Sequence, residues 1–250
     1  MNKNPIIAKQ LINYPKTNIN FVNQDFKTTL DIAIEMKQIE IIELLIKCER
    51  FDPVINRIDR VFYDSDDEVS QLLYQIKELD VNYSFYGTES SALEYAINKK
   101  QIEKIKIIVN HPSFDPVESN VKKLIFHDFV TSNIQIFNLL IQKLNNDVNL
   151  HLPNGDSLFA VAVIKCNKNL LNEILNNSNF KPTKEEFCSV FNKIKSNPKL
   201  TEIKDKLIDY DKNHYNYLNL NINSSSNKEL VQQQNQTTNE KKEDTPHMPL

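Results

Sequence analysis

Glycine is nearly absent from this 250-residue chain, with Gly87 and Gly155 the only two. Loops that cradle phosphate need several glycines so that backbone N–H groups can close on the anion. Two glycines so far apart build neither a Walker loop nor a dinucleotide fingerprint. Cysteine is scarce and odd in number: Cys48, Cys166 and Cys188 form no CxxC pair, which argues against a disulfide framework and for a reducing compartment. No apolar run approaches the roughly 20 residues that span a bilayer. Lys9 and Gln10 interrupt the apolar residues near Met1, so that end does not read as a signal peptide. The formal net charge of −3 and pI near 6.0 lack the basic excess of a nucleic-acid binder. The expectation is a cytoplasmic protein, with the nucleus left open, that binds neither membrane nor nucleic acid.

What is present is self-similarity. LDIAIEMKQIEIIELLIKCERFDPV from Leu30 aligns without gaps with LEYAINKKQIEKIKIIVNHPSFDPV from Leu93, 63 positions later. Similar apolar helices would share Leu and Ile positions by chance, but not Lys-Gln-Ile-Glu and Phe-Asp-Pro-Val in register. A weaker third copy places Ser157 with Thr28, Phe159 with Leu30, Ala162 with Ala33 and Phe180-Lys-Pro182 with Phe51-Asp-Pro53. The Phe-x-Pro marks at 51, 114 and 180 stand 63 and 66 residues apart, about two units of ~33 residues each.

Inside each interval apolar residues recur at spacings of three and four. Leu30, Ala33 and Ile34, then Ile39, Ile42, Leu45 and Ile46, form two short faces broken near Lys37-Gln38. The same pattern predicts helices over 53–62 and 68–79, 121–130 and 134–144, and 187–194 and 200–208. Ser65-x-x-Glu68, Ser91-x-x-Glu94 and Thr183-x-x-Glu186 read as capping boxes. Asn4-Pro5, Asp52-Pro53, Asp115-Pro116 and Asn197-Pro198 read as a cap followed by proline at the first helical position. No alternating strand pattern appears, so the chain is expected to be all-α apart from short hairpin connections. After about residue 213 the chain turns polar and aperiodic, and residues 213–250 are expected to be a disordered tail, with Tyr215 and Tyr217 able to pack on what precedes them.

The repeated unit resembles the ankyrin-repeat family. That family's helix-opening motif T-P-L-H-x-A stands here as Thr28-Thr-Leu-Asp-Ile-Ala33, Ser91-Ala-Leu-Glu-Tyr-Ala96 and Ser157-Leu-Phe-Ala-Val-Ala162. Asp31, Glu94 and Ala160 occupy the histidine's place. The family's D-V-N hairpin signal appears as Asn18-Ile-Asn20, Asp80-Val-Asn82 and Asp147-Val-Asn149, and Asn154-Gly155-Asp156-Ser157 matches its turn. Phe26 and Glu89 stand where the turn expects glycine, so those turns are expected to be reshaped. The resemblance implies a helix-turn-helix solenoid over 1–212: a capping helix at 4–14, then units from about 20, 51, 82, 114, 149 and 180. Tetratricopeptide or HEAT-type repeats are the alternative architecture.

Catalytic and ligand-binding readings are thin. His127 and Asp128 are adjacent and point different ways on a helix, with no third ligand at metal spacing. Gly155-Asp-Ser157 lacks the second glycine of a nucleophile elbow. Asp64-Ser-Asp-Asp-Glu68 lacks the central glycine and distal glutamate of a calcium loop. In that acidic stretch Ser65 is a candidate phosphorylation site at a helix N-terminus. The expectation is a non-enzyme with no cofactor and no metal. It should be a monomer that binds another protein through hairpin tips and a concave helix face. The resemblance implies contact residues Gln24, Asp25, Lys27, Glu35 and Met36; Thr88, Ser90, Asn98 and Lys99; and Asn154, Asp156, Ile164 and Lys165. Two other readings stay open: a drifted structural repeat without a partner, and an enzyme with a Cys/His site between units.

Overall fold

The computed structural model describes residues 5–84, 90–195 and 200–219. These residues form fourteen helices, and the β pairing among them consists of three isolated antiparallel bridges: Val22–Thr28, Ser84–Ser91 and His151–Ser157. Each bridge ends on the hydroxyl residue that opens one of the self-similar segments.

Helix α1 is Pro5–Asn13, α2 Thr29–Glu35, α3 Ile39–Ile46, α4 Ile58–Asp64 and α5 Asp67–Leu73. Next come α6 Ala92–Asn98, α7 Ile102–Asn110, α8 Val121–Leu124, α9 Asp128–Ser132 and α10 Ile134–Gln142. The series ends with α11 Leu158–Ile164, α12 Lys168–Leu175, α13 Lys184–Ile194 and α14 Thr201–His214. Two compact units divide between Pro182 and Thr183.

The three opening helices start and stop for the same reasons. The hydroxyls of Thr28, Ser91 and Ser157 accept from the backbone N–H three residues on, at 3.1, 3.2 and 3.0 Å. At Thr28 the box is reciprocal, because the Asp31 carboxylate accepts from the Thr28 N–H at 2.8 Å. The stop is a Schellman turn: Lys37, Lys100 and Cys166 take φ of 51°, 57° and 55°. The N–H groups of Gln38, Gln101 and Asn167 then bond back to the carbonyls of Ala33, Ala96 and Ala162, each at 2.9 Å. Leu30, Leu93 and Phe159, and likewise Ile42, Ile105 and Leu171, are buried at matching places.

Among the described residues of the first unit, α3 packs on α5, α5 on α7 and α7 on α10, while α4 packs on α6 and α6 on α9. The paired helices α2 and α3, α6 and α7, and α11 and α12 pack on each other.

Asn20, Asn82 and Asn149 fasten each segment to a stretch about 30 residues on. Their Nδ2 groups donate to the carbonyls of Arg50, Ser113 and Asn179 at 2.6, 2.7 and 2.7 Å. Their Oδ1 atoms accept from the N–H groups of Asp52, Asp115 and Lys181 at 2.9, 2.9 and 2.8 Å. Asn56 Nδ2 and Ser119 Oγ, both fully buried, add a further bond at 2.9 Å to Asn20 and Asn82. The Phe51, Phe114 and Phe180 N–H groups donate in turn to the carbonyl three residues back.

With so little glycine, left-handed positions fall to other residues. The turn at Phe26 is not reshaped, contrary to expectation, and Glu89 lies outside the described residues. Phe26 (φ 58°) and Gly155 (φ 87°) close like turns, in which Asn23 N–H donates to Lys27 O at 2.9 Å and Leu152 N–H to Asp156 O at 2.8 Å. Asn23 Oδ1 holds the first from inside, accepting from the Asp25 and Lys27 N–H groups at 3.0 and 2.8 Å. A side chain in this region costs about 1–2 kcal/mol, against about 0.5–1 kcal/mol of extra chain entropy for glycine. Phe26→Gly is therefore expected to raise unfolding stability by roughly 0.5–1 kcal/mol in a urea titration; a loss of stability would mean the ring packs usefully despite its exposure.

Several helix limits differ from the sequence reading. Residues 53–57 form a turn, not the start of a helix: Asp52 Oδ1 accepts from the Val54 and Ile55 N–H groups at 2.9 and 3.0 Å, Arg57 is left-handed, and α4 begins at Ile58. The 115–120 stretch repeats this with Asp115 and left-handed Asn120. The expected 121–130 helix is broken by His127, whose Nδ1 caps α9 by accepting from Phe129 N–H at 3.2 Å. Ser65 does not cap a helix start: Asp66 caps α5, while buried Ser65 donates to Phe62 O at 2.9 Å and shares a hydrogen bond with Ser70 Oγ at 2.7 Å. The helix N-terminus expected at Ser65 thus belongs to Asp66. The described parts of the Ser91 and Thr183 caps form as expected, whereas Asn4 and Asn197-Pro198 lie outside the described residues.

The joint between α4 and α5 carries a fully buried lysine. Lys104 Nζ donates to the carbonyls of Phe62, Tyr63 and Ser65 at 2.5, 2.8 and 2.9 Å and lies 5.1 Å from the Phe62 ring centroid. The corresponding residues in the other copies, Ile41 and Leu170, are buried aliphatics. Burial pulls the Lys104 pKa down to about 8, against the pull of nearby Asp64, Asp67 and Asp66, so it stays protonated near neutrality.

The second unit pairs α13 with α14. Helix α14 continues to His214, and both carboxylate oxygens of buried Asp211 fold the following chain back by accepting from the Tyr217 and Leu218 N–H groups at 2.7 and 2.9 Å. Tyr215 and Tyr217 stack at 4.7 Å, and Tyr217 meets Phe187 edge-on, realising the packing expected of the two tyrosines. The remainder of the expected tail, from residue 220, lies outside the described residues.

Candidate functional site

A groove of about 360 Å³ opens between the 23–28 turn, α2 and α4, lined by Asp25, Phe26, Lys27, Asp31, Ile34, Glu35, Arg57, Arg60, Val61, Asp64 and Ser65. The turn places Phe26 at the lip, 77% exposed. Arg57, Arg60, Val61 and Asp64 follow spacings of three and four and so share a face of α4, or of the residue before it. The Arg57 guanidinium ties the two walls together, donating to Phe26 O at 2.9 Å and Asp31 Oδ2 at 3.2 Å.

Electrostatically the groove is mixed, with local pairing. Lys27 and Glu35 bond at 2.6 Å, and that hydrogen bond raises the Lys27 pKa. Both are exposed, and such a pair contributes little to stability. The Asp31–Arg57 pair has a counterpart in Glu94 and Lys123, 3.7 Å apart. Asp31 and Glu94, at the same place in their self-similar segments, thus each reach a base in the next helix pair.

Of the thirteen contact residues expected from sequence, the structure gathers Asp25, Lys27 and Glu35 in this groove. Gln24 is exposed beside it, and Met36 is the half-buried C-cap of α2. Asn98 and Lys99 are exposed at the end of α6, with Lys99 Nζ 5.6 Å from the Tyr95 ring centroid, and Ser90 is half-buried. Thr88 lies outside the described residues. Asn154 and Asp156 bond to each other at 2.8 and 3.1 Å, Ile164 is 51% exposed, and Lys165 pairs with Asp128, whose pKa it lowers.

Sequence reasoning missed Phe26, Ile34 and the whole α4 wall as contact candidates. The signal for Phe26 was present, an aromatic standing at a glycine position. The α4 face was also periodic, but nothing in sequence said which neighbour it faced.

Several histidines and thiols among the described residues are engaged locally. His111 Nδ1 lies 2.7 Å from Ser113 Oγ, and burial lowers its pKa. His151 Nδ1 and His214 Nδ1 lie 3.0 and 2.8 Å from the Asn149 and Tyr210 carbonyls. The Cys166 and Cys188 thiols point to the carbonyls of Ile164 and Tyr217 at 3.9 and 3.8 Å. Among the described residues no group of three or more His, Cys, Asp or Glu could hold a metal ion, and no helix is long and apolar enough to cross a membrane.

Compared with family models, with curated proteins and with solved structures, the chain matches none.

Proposed function

We propose that this chain is an ankyrin-type stack of helical units and works as a protein-binding module, with the groove at Phe26 as part of its contact face. The observation that carries the reading is recurrence of long-range bonds. The Asn20, Asn82 and Asn149 clips join each segment to the next at the same atoms, and the hairpin bridges close on the same hydroxyl caps. Units that cannot bury their apolar faces alone gain stability by stacking, and such stacks present turn tips and first helices along one face. The exposed places of Gln24, Asp25, Glu35, Asn98, Lys99, Asn154 and Lys165 fit that use.

The test is a capture experiment from the native source with the full chain. Glu35→Lys combined with Asn98→Lys reverses or adds charge at two exposed points without touching the core. Binding of a stoichiometric partner is expected to weaken about tenfold or more with an unchanged melting temperature. Undiminished binding would remove this face from consideration. Recovery of no stoichiometric partner favours a second reading, a drifted repeat without a dedicated partner. Left-handed non-glycine residues such as Phe26 and Lys37 suit that reading.

A further inference from the structure

We propose that the groove between the 23–28 turn and α4 takes a basic peptide segment of another protein, anchored by one apolar side chain; this rests on the protein-binding reading above and gives it a partner chemistry. Phe26 is strained and exposed at once, with φ 58° and 77% of its surface in water. The like turn at 152–156 avoids both costs with Gly155. Strain that serves no internal packing is the kind retained where a side chain meets a ligand. Half-buried Ile34 and Val61 line the same groove and give it an apolar floor.

Charge decides what lies on that floor. The lining has four carboxylates, Asp25, Asp31, Glu35 and Asp64, against Lys27, Arg57 and Arg60. Lys27 is held by Glu35, and Arg57 by Asp31 and the Phe26 carbonyl. Asp66, Asp67 and Glu68 follow in the chain at the start of α5, outside the groove lining. Lys104 beneath offsets one charge, its ammonium turned to backbone carbonyls. Exposed Asp64 sits on the last residue of α4, where the helix dipole is also negative. An acidic segment would be repelled at that end, whereas a lysine or arginine beside an apolar anchor meets opposite charge.

The experiment selects short random peptides displayed on phage against the immobilised full chain, then measures the winners by fluorescence anisotropy. Selected peptides are expected to carry Lys or Arg next to an aliphatic or aromatic residue and to bind more weakly as salt rises. Asp64→Lys should weaken them about tenfold, and exchanging their basic residue for Glu should restore affinity to that variant. Phe26→Gly should also cost about tenfold in affinity while the protein becomes more stable, which separates lost contact from lost folding. Enrichment of acidic or uncharged peptides, no enrichment at all, or full affinity in both variants would overturn the proposal. A native partner lost on Glu35→Lys with Asn98→Lys, alongside any of those outcomes, would leave the protein-binding reading standing and remove only the basic-peptide inference.

Discussion

Lys104→Ala is expected to destabilise the first unit by about 4 kcal/mol, lowering its melting temperature by roughly 12 °C. Two effects compete at this position. Burying an ammonium is costly, and an aliphatic in its place removes that cost. Against this, the ammonium supplies donors to three carbonyls where α4 ends, and a helix end cannot satisfy its last carbonyls by itself. The Phe62 carbonyl keeps the Ser65 hydroxyl as a donor, but those of Tyr63 and Ser65 lose a buried partner worth about 1–3 kcal/mol each. The lost bonds therefore win. Lys104→Leu, which fills the space as Leu170 does in its own copy, should cost less, roughly 2–3 kcal/mol, because it leaves no cavity.

The same lysine sets a pH dependence. Its folded pKa of about 8 lies below the ordinary 10.5, so between those values the unfolded chain binds more protons. Stability from this group is therefore flat below about pH 8 and rises with pH towards 10.5. The difference in unfolding free energy between wild type and Lys104→Leu should widen in the wild type's favour across that window. A difference independent of pH there would show that the folded protein does not perturb the amine.

Asn20→Ala is expected to cost about 3 kcal/mol, measured by urea unfolding. The change removes one donated and two accepted hydrogen bonds, at 2.6, 2.9 and 2.9 Å, and leaves Arg50 O, Asp52 N–H and fully buried Asn56 short of a partner. Asn20→Asp keeps the acceptor and loses the donor, so about half the loss should return. Position should grade the effect. The Asn20 bonds are part-buried, while those of Asn149 are exposed and open to water, so Asn149→Ala should cost only about 1 kcal/mol. Equal losses at both sites would mean that the clips act on local turn geometry rather than as buried ties between segments.

Much of the helical pattern was legible because it is a matter of spacing. The break at Lys37-Gln38, the caps at Thr28, Ser91 and Thr183 and the apolar faces through Leu30, Ala33, Ile42 and Leu45 all follow from local sequence and appear where expected. The Phe51–Pro53 and Phe114–Pro116 marks were visible, but their meaning was not. A proline after aspartate was read as a helix start, whereas Asp52 and Asp115 cap a turn that left-handed Arg57 and Asn120 end before the helix begins. Ser65 misled for a related reason: Ser-x-x-Glu and Asp-x-x-Val both fit the start of α5, and only the packing of Ser65 against Ser70 and Phe62 selects Asp66 as the cap.

By itself the sequence determined helices as the regular elements of the described residues and copies 63 and 66 residues apart, since apolar periodicity, hydroxyl caps and Phe-x-Pro marks are local or one-dimensional signals. Tertiary structure alone decided that the asparagine of each Asx-Ile/Val-Asn signal ties together backbone about 30 residues away, that Lys104 replaces an aliphatic to close the end of α4, and that Phe26, Ile34 and Val61 line one groove. The physical reason is the same in each case. Which donor meets which acceptor, and which face meets which neighbour, depends on atoms far apart in the chain, and no local preference encodes that meeting.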